Sequence, residues 1–351
     1  MINIAVPARV CFYGDHQDYL GLPVIAGTID RYIYISATPN DSSQFRIQLK
    51  DLGDTRDIDL STSLDDVTKD DYLLSAIAVL KKEGLKLRQG YDVEIEGNIP
   101  LNAGLSSSSA LTVAWIRFLL TSQEFQRDWN NKQVGHWAYE SEVLYFNQPG
   151  GLMDQYSIAQ GGLIFIDTQT GESSELTTDV VKLVVAESGL PKKTLDVLKN
   201  GRVFGQNAIQ AVKTYDSKFS MQNATVDDYE KYKHIVPEEY LAHWYAAVHN
   251  YQITKDAKRE LSRETPNPEY LGELMNAHQK ILQNQIQNTP QPMIAMMNAA
   301  REAGALGAKI IGSGGGGCML ALVMEETKKK VIDAFLNQGA KDAYEVNLTK
   351  V

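Results

Sequence analysis

The stretch that decides the fold is Pro100-Leu101-Asn102-Ala103-Gly104-Leu105-Ser106-Ser107-Ser108-Ser109-Ala110. It follows residues 91–96, whose alternation reads as a half-buried strand, and runs into residues 108–120, where nearly every side chain is apolar and a buried helix is predicted. Small residues at such a junction let the backbone approach a ligand closely. The helix N-terminus presents unpaired N–H groups and about half an elementary charge, so a phosphate can dock there without a lysine. Serine hydroxyls add donors, and one can ligate Mg²⁺ as a hard oxygen. The plainer alternative is a serine N-cap after a turn, although four consecutive serines exceed what capping requires. The run is neither a Walker P-loop, which ends in Gly-Lys-Ser or Gly-Lys-Thr, nor a dinucleotide fingerprint.

Upstream, residues 31–37 and 45–49 are β-branched and aromatic runs on either side of Pro39-Asn40-Asp41-Ser42-Ser43, a pattern that predicts a hairpin. Residues 71–85 place Leu73, Leu74, Ile77, Val79 and Leu80 at helical spacing and stop near Gly84. Downstream, residues 162–167 and 180–185 read as strands. Residues 192–288 are mostly helical in pattern, with a charged, Pro-containing surface connection at 262–268. The last part gives a helix over 291–303, the run Gly312-Ser313-Gly314-Gly315-Gly316-Gly317, a strand over 318–323, a helix over 327–337 and a strand over 343–348. Strands and helices mixed without strict βαβ alternation define an α+β protein, and 351 residues fit two domains or one large one.

The chain carries 34 Lys+Arg against 44 Asp+Glu, a net charge of −10, which excludes nucleic acid as a partner because binding a polyanion needs clustered cations. Residues 95–116 contain one ionisable side chain, Glu96. Phosphate held there must therefore rest on backbone N–H groups, hydroxyls and a metal ion. The two cysteines, Cys11 and Cys318, lie far apart and have no partners at metal-ligand spacing. No leader pattern and no membrane-spanning apolar run is legible, so the expectation is a cytoplasmic protein without a membrane partner.

Pro-x-x-x-Gly-Leu-Ser-Ser-Ser-Ser-Ala resembles the ATP-binding motif of the GHMP kinases, the family of galactokinase, homoserine kinase, mevalonate kinase and phosphomevalonate kinase. Pro7-Ala8-Arg9-Val10-Cys11-Phe12-Tyr13-Gly14-Asp15-His16-Gln17-Asp18-Tyr19 is similar to the galactokinase signature, Gly-Arg-Val followed by Gly-Glu-His-Thr-Asp-Tyr. Pro149-Gly150-Gly151-Leu152-Met153-Asp154-Gln155 resembles its Cys-Gly-Ile-Met-Asp-Gln segment, and Gly307-Ala308-Lys309-Ile310-Ile311-Gly312-Ser313-Gly314-Gly315-Gly316-Gly317-Cys318 the third family motif. The four motifs stand in the family's order. The resemblance implies a ribosomal-S5-domain-2-like N-terminal domain, expected over 1–188, and a ferredoxin-like C-terminal domain over 189–351. It also implies ATP as co-substrate, Mg²⁺, and transfer of the γ-phosphoryl group to a sugar hydroxyl, in the galactokinase manner the anomeric one.

Carried over residue by residue, the resemblance makes Asp154 the group that orients or deprotonates the acceptor hydroxyl. Its apolar neighbours are expected to raise its pKa; the plainer reading is an N-cap on a helix over 155–159. Arg9 fixes Asp154 or stabilises the moving phosphoryl group. Glu142, twelve residues before Asp154, and Ser108 are the metal contacts, with Glu140 in reserve. Gly104, Leu105, Ser106, Ser107, Ser108, Ser109, Gly314 and Gly315 fall to the nucleotide, and Asp15, His16, Asp18, Gly151 and Asp154 to the sugar. Three departures bear on the acceptor. Asp15 stands where the family has glutamate, Gly150 where galactokinases commonly have cysteine, and the galactokinase tyrosine segment is missing. Heptose phosphates, uronic acids, mevalonate and a non-catalytic ATP/sugar sensor therefore stay open as alternatives, as do the hexose and the oligomeric state.

Overall fold

The computed structural model describes residues 1–101, 103–176, 182–191 and 194–350, the side chains of 194–199 excepted. β1 (Ile2–Tyr13) pairs antiparallel with β2 (Val24–Asn40). β3 (Gln44–Leu49), β4 (Asp54–Asp59), α1 (Tyr72–Lys82), β5 (Gly90–Gly97), α2 (Ser107–Ser122), α3 (Asn131–Tyr139), α4 (Met153–Gln160), β6 (Leu163–Ile166) and β7 (Ser173–Leu176) complete the N-terminal unit. Its sheet runs β4-β3-β5-β2-β6-β7, with β1 also on β2. α1 starts where Asp71 accepts the Leu74 N–H and ends with Lys81 and Lys82 in its last turn, a favourable charge placement. α2 is the central helix that the sequence predicts. Ala110, Val113, Ala114, Trp115 and Phe118 are all fully buried, and each large apolar side chain contributes about 1.5–3 kcal/mol. Trp115 satisfies its indole by donating to Leu73 O at 3.1 Å.

The hairpin expected between residues 31–37 and 45–49 does not form. β5 lies between β2 and β3, antiparallel to the first and parallel to the second. Its inward residues Tyr91, Val93 and Ile95 are buried, and both of its edges are paired. Asn40, in the turn that suggested the hairpin, instead donates to Asp92 and to Gln44 O. β3 forms its hairpin with β4.

The C-terminal unit comprises β8 (Lys182–Glu187), α5 (Thr194–Tyr215), α6 (Asp227–Tyr232), α7 (Leu241–Leu261), α8 (Pro268–Ile281), α9 (Gln291–Glu302), β9 (Gly307–Ile310), β10 (Cys318–Val323), α10 (Lys328–Asn337) and β11 (Asp342–Val346). Four antiparallel strands form a sheet in the order β11-β8-β10-β9. The two-residue period of β8 and β10 divides their side chains between two cores. Leu183, Val185, Leu320 and Leu322 join the main core, whereas Val184, Ala186, Met319, Ala321 and Val323 pack against α9 and α10. β8, within the span expected to belong to the N-terminal domain, is hydrogen-bonded into this second sheet. Val180 and Val181 of the strand expected over 180–185 lie outside the described residues, as does Asn102. Among the described residues no helix is long and apolar enough to cross a membrane.

Candidate active site

Arg9, on β1, is 2% exposed and joins three distant segments. Its Nε donates to Asp154 Oδ1 at 2.8 Å, its Nη2 lies 2.8 Å from Asp154 Oδ2, and its Nη1 donates to Gly104 O at 2.6 Å. Burial works against the guanidinium's charge, but the Asp154 carboxylate outweighs it and holds the pKa above its usual value.

Asp154 is not a cap: Leu152 takes that position and Asp154 lies in the first turn of α4, where the helix dipole favours negative charge. Its surroundings are polar, contrary to the apolar setting expected from its neighbours in sequence. Besides Arg9, Ser106 Oγ donates to Oδ2 at 2.5 Å, and the side chain keeps 30% exposure. The result is a carboxylate fixed in orientation and open on one side. Ser106 is the N-cap of α2, yet it sits at φ 59° and caps nothing; its hydroxyl is committed to Asp154.

Glu142 lies on a π-helical turn (Glu140–Leu144) and is 7% exposed. Ser109 Oγ and Gln155 Nε2 each donate to its Oε2 at 2.6 Å. Burial pushes its pKa up, and the hydroxyls of Ser108 and Ser109 together with Gln155 pull it back. The wide turn separates the two candidate glutamates: Glu142 lines the cavity, whereas Glu140 stands 4.0 Å from His136 Nε2 and does not. Of the other serines, Ser107 is half-buried and Ser108 exposed.

Arg9, Ser109, Glu142, Asp154 and Gln155 line a cavity of about 270 Å³, with Asp18, Gly151 and Gly312 on other walls, whereas Gly104, Leu105, Ser106, Ser107 and Ser108 are not among its described lining residues. Asp18 accepts Tyr19 N–H at 3.0 Å and Met153 N–H at 3.3 Å, and burial followed by the nearby Asp154 carboxylate pushes its pKa up to about 6. A Cβ at Gly151 would lie 2.2 Å from Asp18 Oδ2, so only glycine fits there. Asp15 is 1% exposed, with Oδ1 accepting Gly312 N–H at 2.8 Å and Oδ2 2.6 Å from Lys309 Nζ. Burial alone would raise its pKa; the Lys309 charge holds it below the ordinary value. His16 Nδ1 lies 2.6 Å from Tyr19 Oη, and its Nε2 lies 3.0 Å from Asn288 Nδ2 and 3.1 Å from Ser313 O.

Gly314 and Gly315 do not line the cavity. Gly315 N–H donates to Asn288 O at 2.6 Å, and a Cβ at Gly314 would lie 2.5 Å from the same oxygen. The Gly-rich loop nevertheless meets the serine turn, since Cys318 N–H donates to Ala103 O at 2.7 Å.

Sequence reasoning missed Lys309 and Asn288. Lys309 is fully buried and also donates to Cys11 O and Ile310 O, crossing between the two units. A single cation in an apolar run was its one available signal. Asn288, 3% exposed, follows a second π-helical turn (Leu282–Ile286) and bonds His16, Ser313 and Gly315 together; nothing in its sequence neighbourhood marks it.

A buried Arg–Asp pair beside a serine-rich helix N-terminus, at a cleft between an α/β unit and a second antiparallel sheet, defines a class. Residues 71–162 match the model of the GHMP kinases N terminal domain and residues 257–341 that of the GHMP kinases C terminal. The chain belongs to the GHMP kinase family, whose kinases are phosphotransferases. It is 28% identical over 332 residues to the mevalonate kinase of Thermococcus sibiricus, covering 92% of this chain and 89% of that one. It is equally 28% identical over 357 residues to the galactokinase of Clostridium perfringens, covering 96% and 89%. In fold it matches Lactococcus lactis galactokinase complexed with galactose at a TM-score of 0.88, with 22% identity over 99% of this chain and 95% of that one. Methanococcus jannaschii mevalonate kinase gives 0.73, with 18% identity over 99% and 98%.

Proposed function

We propose that the chain is an ATP-dependent kinase acting on a neutral sugar, with the anomeric C1 hydroxyl as acceptor in the galactokinase manner. The observation that carries the acceptor class is the charge of the cavity. Arg9 is the one Lys or Arg among its described lining residues, and Asp154 already neutralises it. Asp15, Asp18, Asp70, Glu142 and Asp154 bring five carboxyl groups to the same walls. Arg202 lies near Tyr19 and Tyr139 but does not line the cavity. A mevalonate carboxylate, a uronic acid or a heptose phosphate would be desolvated there without a counter-ion, a costly arrangement. A neutral polyol brings hydroxyls, which carboxylates and backbone carbonyls accept well.

In this reading Asp154, oriented by Arg9 and Ser106, accepts the proton of the attacking hydroxyl. The N-terminal N–H groups of α2, with the Ser107 and Ser108 hydroxyls, hold the nucleotide phosphates. Glu142 and Ser108 offer hard oxygen donors of the kind Mg²⁺ takes, and no described cluster of three or more His, Cys, Asp or Glu forms a metal cage. That donor set fits an ion that binds through one or two protein oxygens plus phosphates. Mg²⁺, when bound, supplies charge neutralisation on the transferring group.

A coupled ADP-release assay over galactose, other hexoses, uronic acids, heptoses, heptose phosphates and mevalonate tests the reading. Turnover is expected on a neutral hexose. Preferred turnover of mevalonate or of a sugar phosphate overturns the acceptor assignment, and tight ATP binding without turnover on any of them supports a sensor instead.

A further inference from the structure

Helix α4 stands between two cavities. Met153, Asp154 and Gln155 line the candidate active site, while Leu152 and Tyr156 line a separate cleft of about 570 Å³. The other walls of this cleft are one face of α3, with Gln133, His136 and Tyr139, and the turn between β6 and β7 from Thr168 to Gly171. The volume lies within the range of small-molecule sites and is about twice that of the active-site cavity.

The chemistry of the lining is specific. No carboxylate is among the described lining residues, and the one Lys or Arg there, Lys132, is paired with Glu172. A free anion or cation would therefore find no unpaired counter-charge. What remains is uncharged and mixed: two tyrosine rings, an imidazole, side-chain amides and threonine hydroxyls. Gln133 Oε1 accepts the Asn130 N–H in a capping box, which leaves its NH₂ group as a donor for a ligand. Tyr139 Oη hydrogen-bonds none of the described residues. Trp129, the residue before Asn130, keeps 38% exposure.

The aromatic wall is built in place. His136 Nδ1 lies 3.1 Å from Tyr156 Oη, and their rings meet edge to face at 83°. A Cβ at Gly171 would lie 2.7 Å from Tyr156 Cε1, so glycine there lets the turn close over the ring. Aromatic faces that cover apolar C–H groups, beside amides and hydroxyls that both donate and accept, are what a neutral pyranose ring requires.

We propose that this cleft is a second binding site, taking a neutral saccharide and lying one helical turn from the candidate active site. Leu152, in the cleft wall, directly precedes Met153, which donates its N–H to Asp18 in the wall of the other cavity. An occupant of the cleft touches Leu152 and Tyr139 directly.

The test is ligand-observed NMR saturation transfer on the full chain with maltose and lactose, disaccharides suited to the larger cleft, alongside glucuronate and inorganic phosphate. The expected result is millimolar binding of the disaccharides alone, lost in Thr170→Trp, which fills the cleft from an exposed position, and weakened at least severalfold in His136→Ala. Melting curves establish that both variants fold. Absence of disaccharide transfer, transfer that survives both substitutions, or preferential binding of glucuronate or phosphate overturns the proposal. Binding is read here without turnover, so its failure and that of the kinase reading are distinguishable.

Discussion

Replacing Asp154 by asparagine separates two consequences of one contact. Asparagine keeps the size and one acceptor oxygen, but it leaves the Arg9 guanidinium, 2% exposed, without its one carboxylate partner among the described residues. Breaking a fully buried ion pair costs about 3–5 kcal/mol. Asp154 is 30% exposed and Gly104 O still accepts from Arg9, so the expected loss is smaller, about 2 kcal/mol. With ordinary domain stabilities of about 5–15 kcal/mol the variant remains folded. Turnover falls further, by about 10²–10⁴-fold, because the hydroxyl loses a positioned proton acceptor. Urea unfolding reads the first effect and single-turnover phosphoryl transfer the second, while calorimetry should find ATP affinity nearly unchanged. A double variant, Arg9→Met with Asp154→Leu, removes both charges and should regain most of the stability without activity. Near-normal turnover in Asp154→Asn would refute its role as proton acceptor. Unchanged stability would refute the account of Arg9 as a buried charge that depends on Asp154.

Chelating divalent metal should weaken ATP binding strongly, and Glu142→Gln should raise the Mg²⁺ concentration needed for activity by at least about tenfold; ATP affinity indifferent to metal would show that the serine turn holds phosphate by another means. Gly151→Ala drives a methyl group into the Asp18 carboxyl and should raise the acceptor KM at least about tenfold with little change in ATP affinity, whereas equal losses for both ligands would place the damage elsewhere. Asp18, pushed up to about 6 when folded, binds more protons than the unfolded chain between about pH 4 and 6, so its contribution to stability falls as pH rises through that window. Asp18→Asn should therefore stabilise the protein near pH 7, by at most about 3 kcal/mol, and flatten the profile; a variant equally destabilised at both ends of the window would contradict the shift.

What could be read from the chain was local. The apolar run over 108–120 specified α2, the alternation over 91–96 specified β5, and the strand over 318–323 is β10 residue for residue, because helical and strand periods are written into neighbouring positions. The four motifs, being contiguous, gave the family and brought Arg9, Glu142 and Asp154 into view as a set. The serine run and the near-absence of charge around it were also enough to mark a helix N-terminus as a candidate phosphate site.

Partner choice was not local. The insertion of β5 between β2 and β3, and the place of β8 in the second sheet, depend on which edges bury the most apolar surface together. A π-helical turn brought Glu142, and not Glu140, to the cavity wall, a matter of side-chain direction within one helix that spacing alone left open. Asp15 turned out to face Lys309 between the two units, and Ser106 to hold Asp154 where a cap was the plainer reading. Arg9 meets Asp154 across 145 positions, and Asn288 meets His16 across 272. The sequence by itself determined many of the elements, among them α2, β5 and β10, the family, and the candidate residues for the chemistry. Only the tertiary structure decided which of them are partners, because a buried charge or amide takes whatever counter-group the packing of distant segments delivers, and no periodicity encodes that delivery.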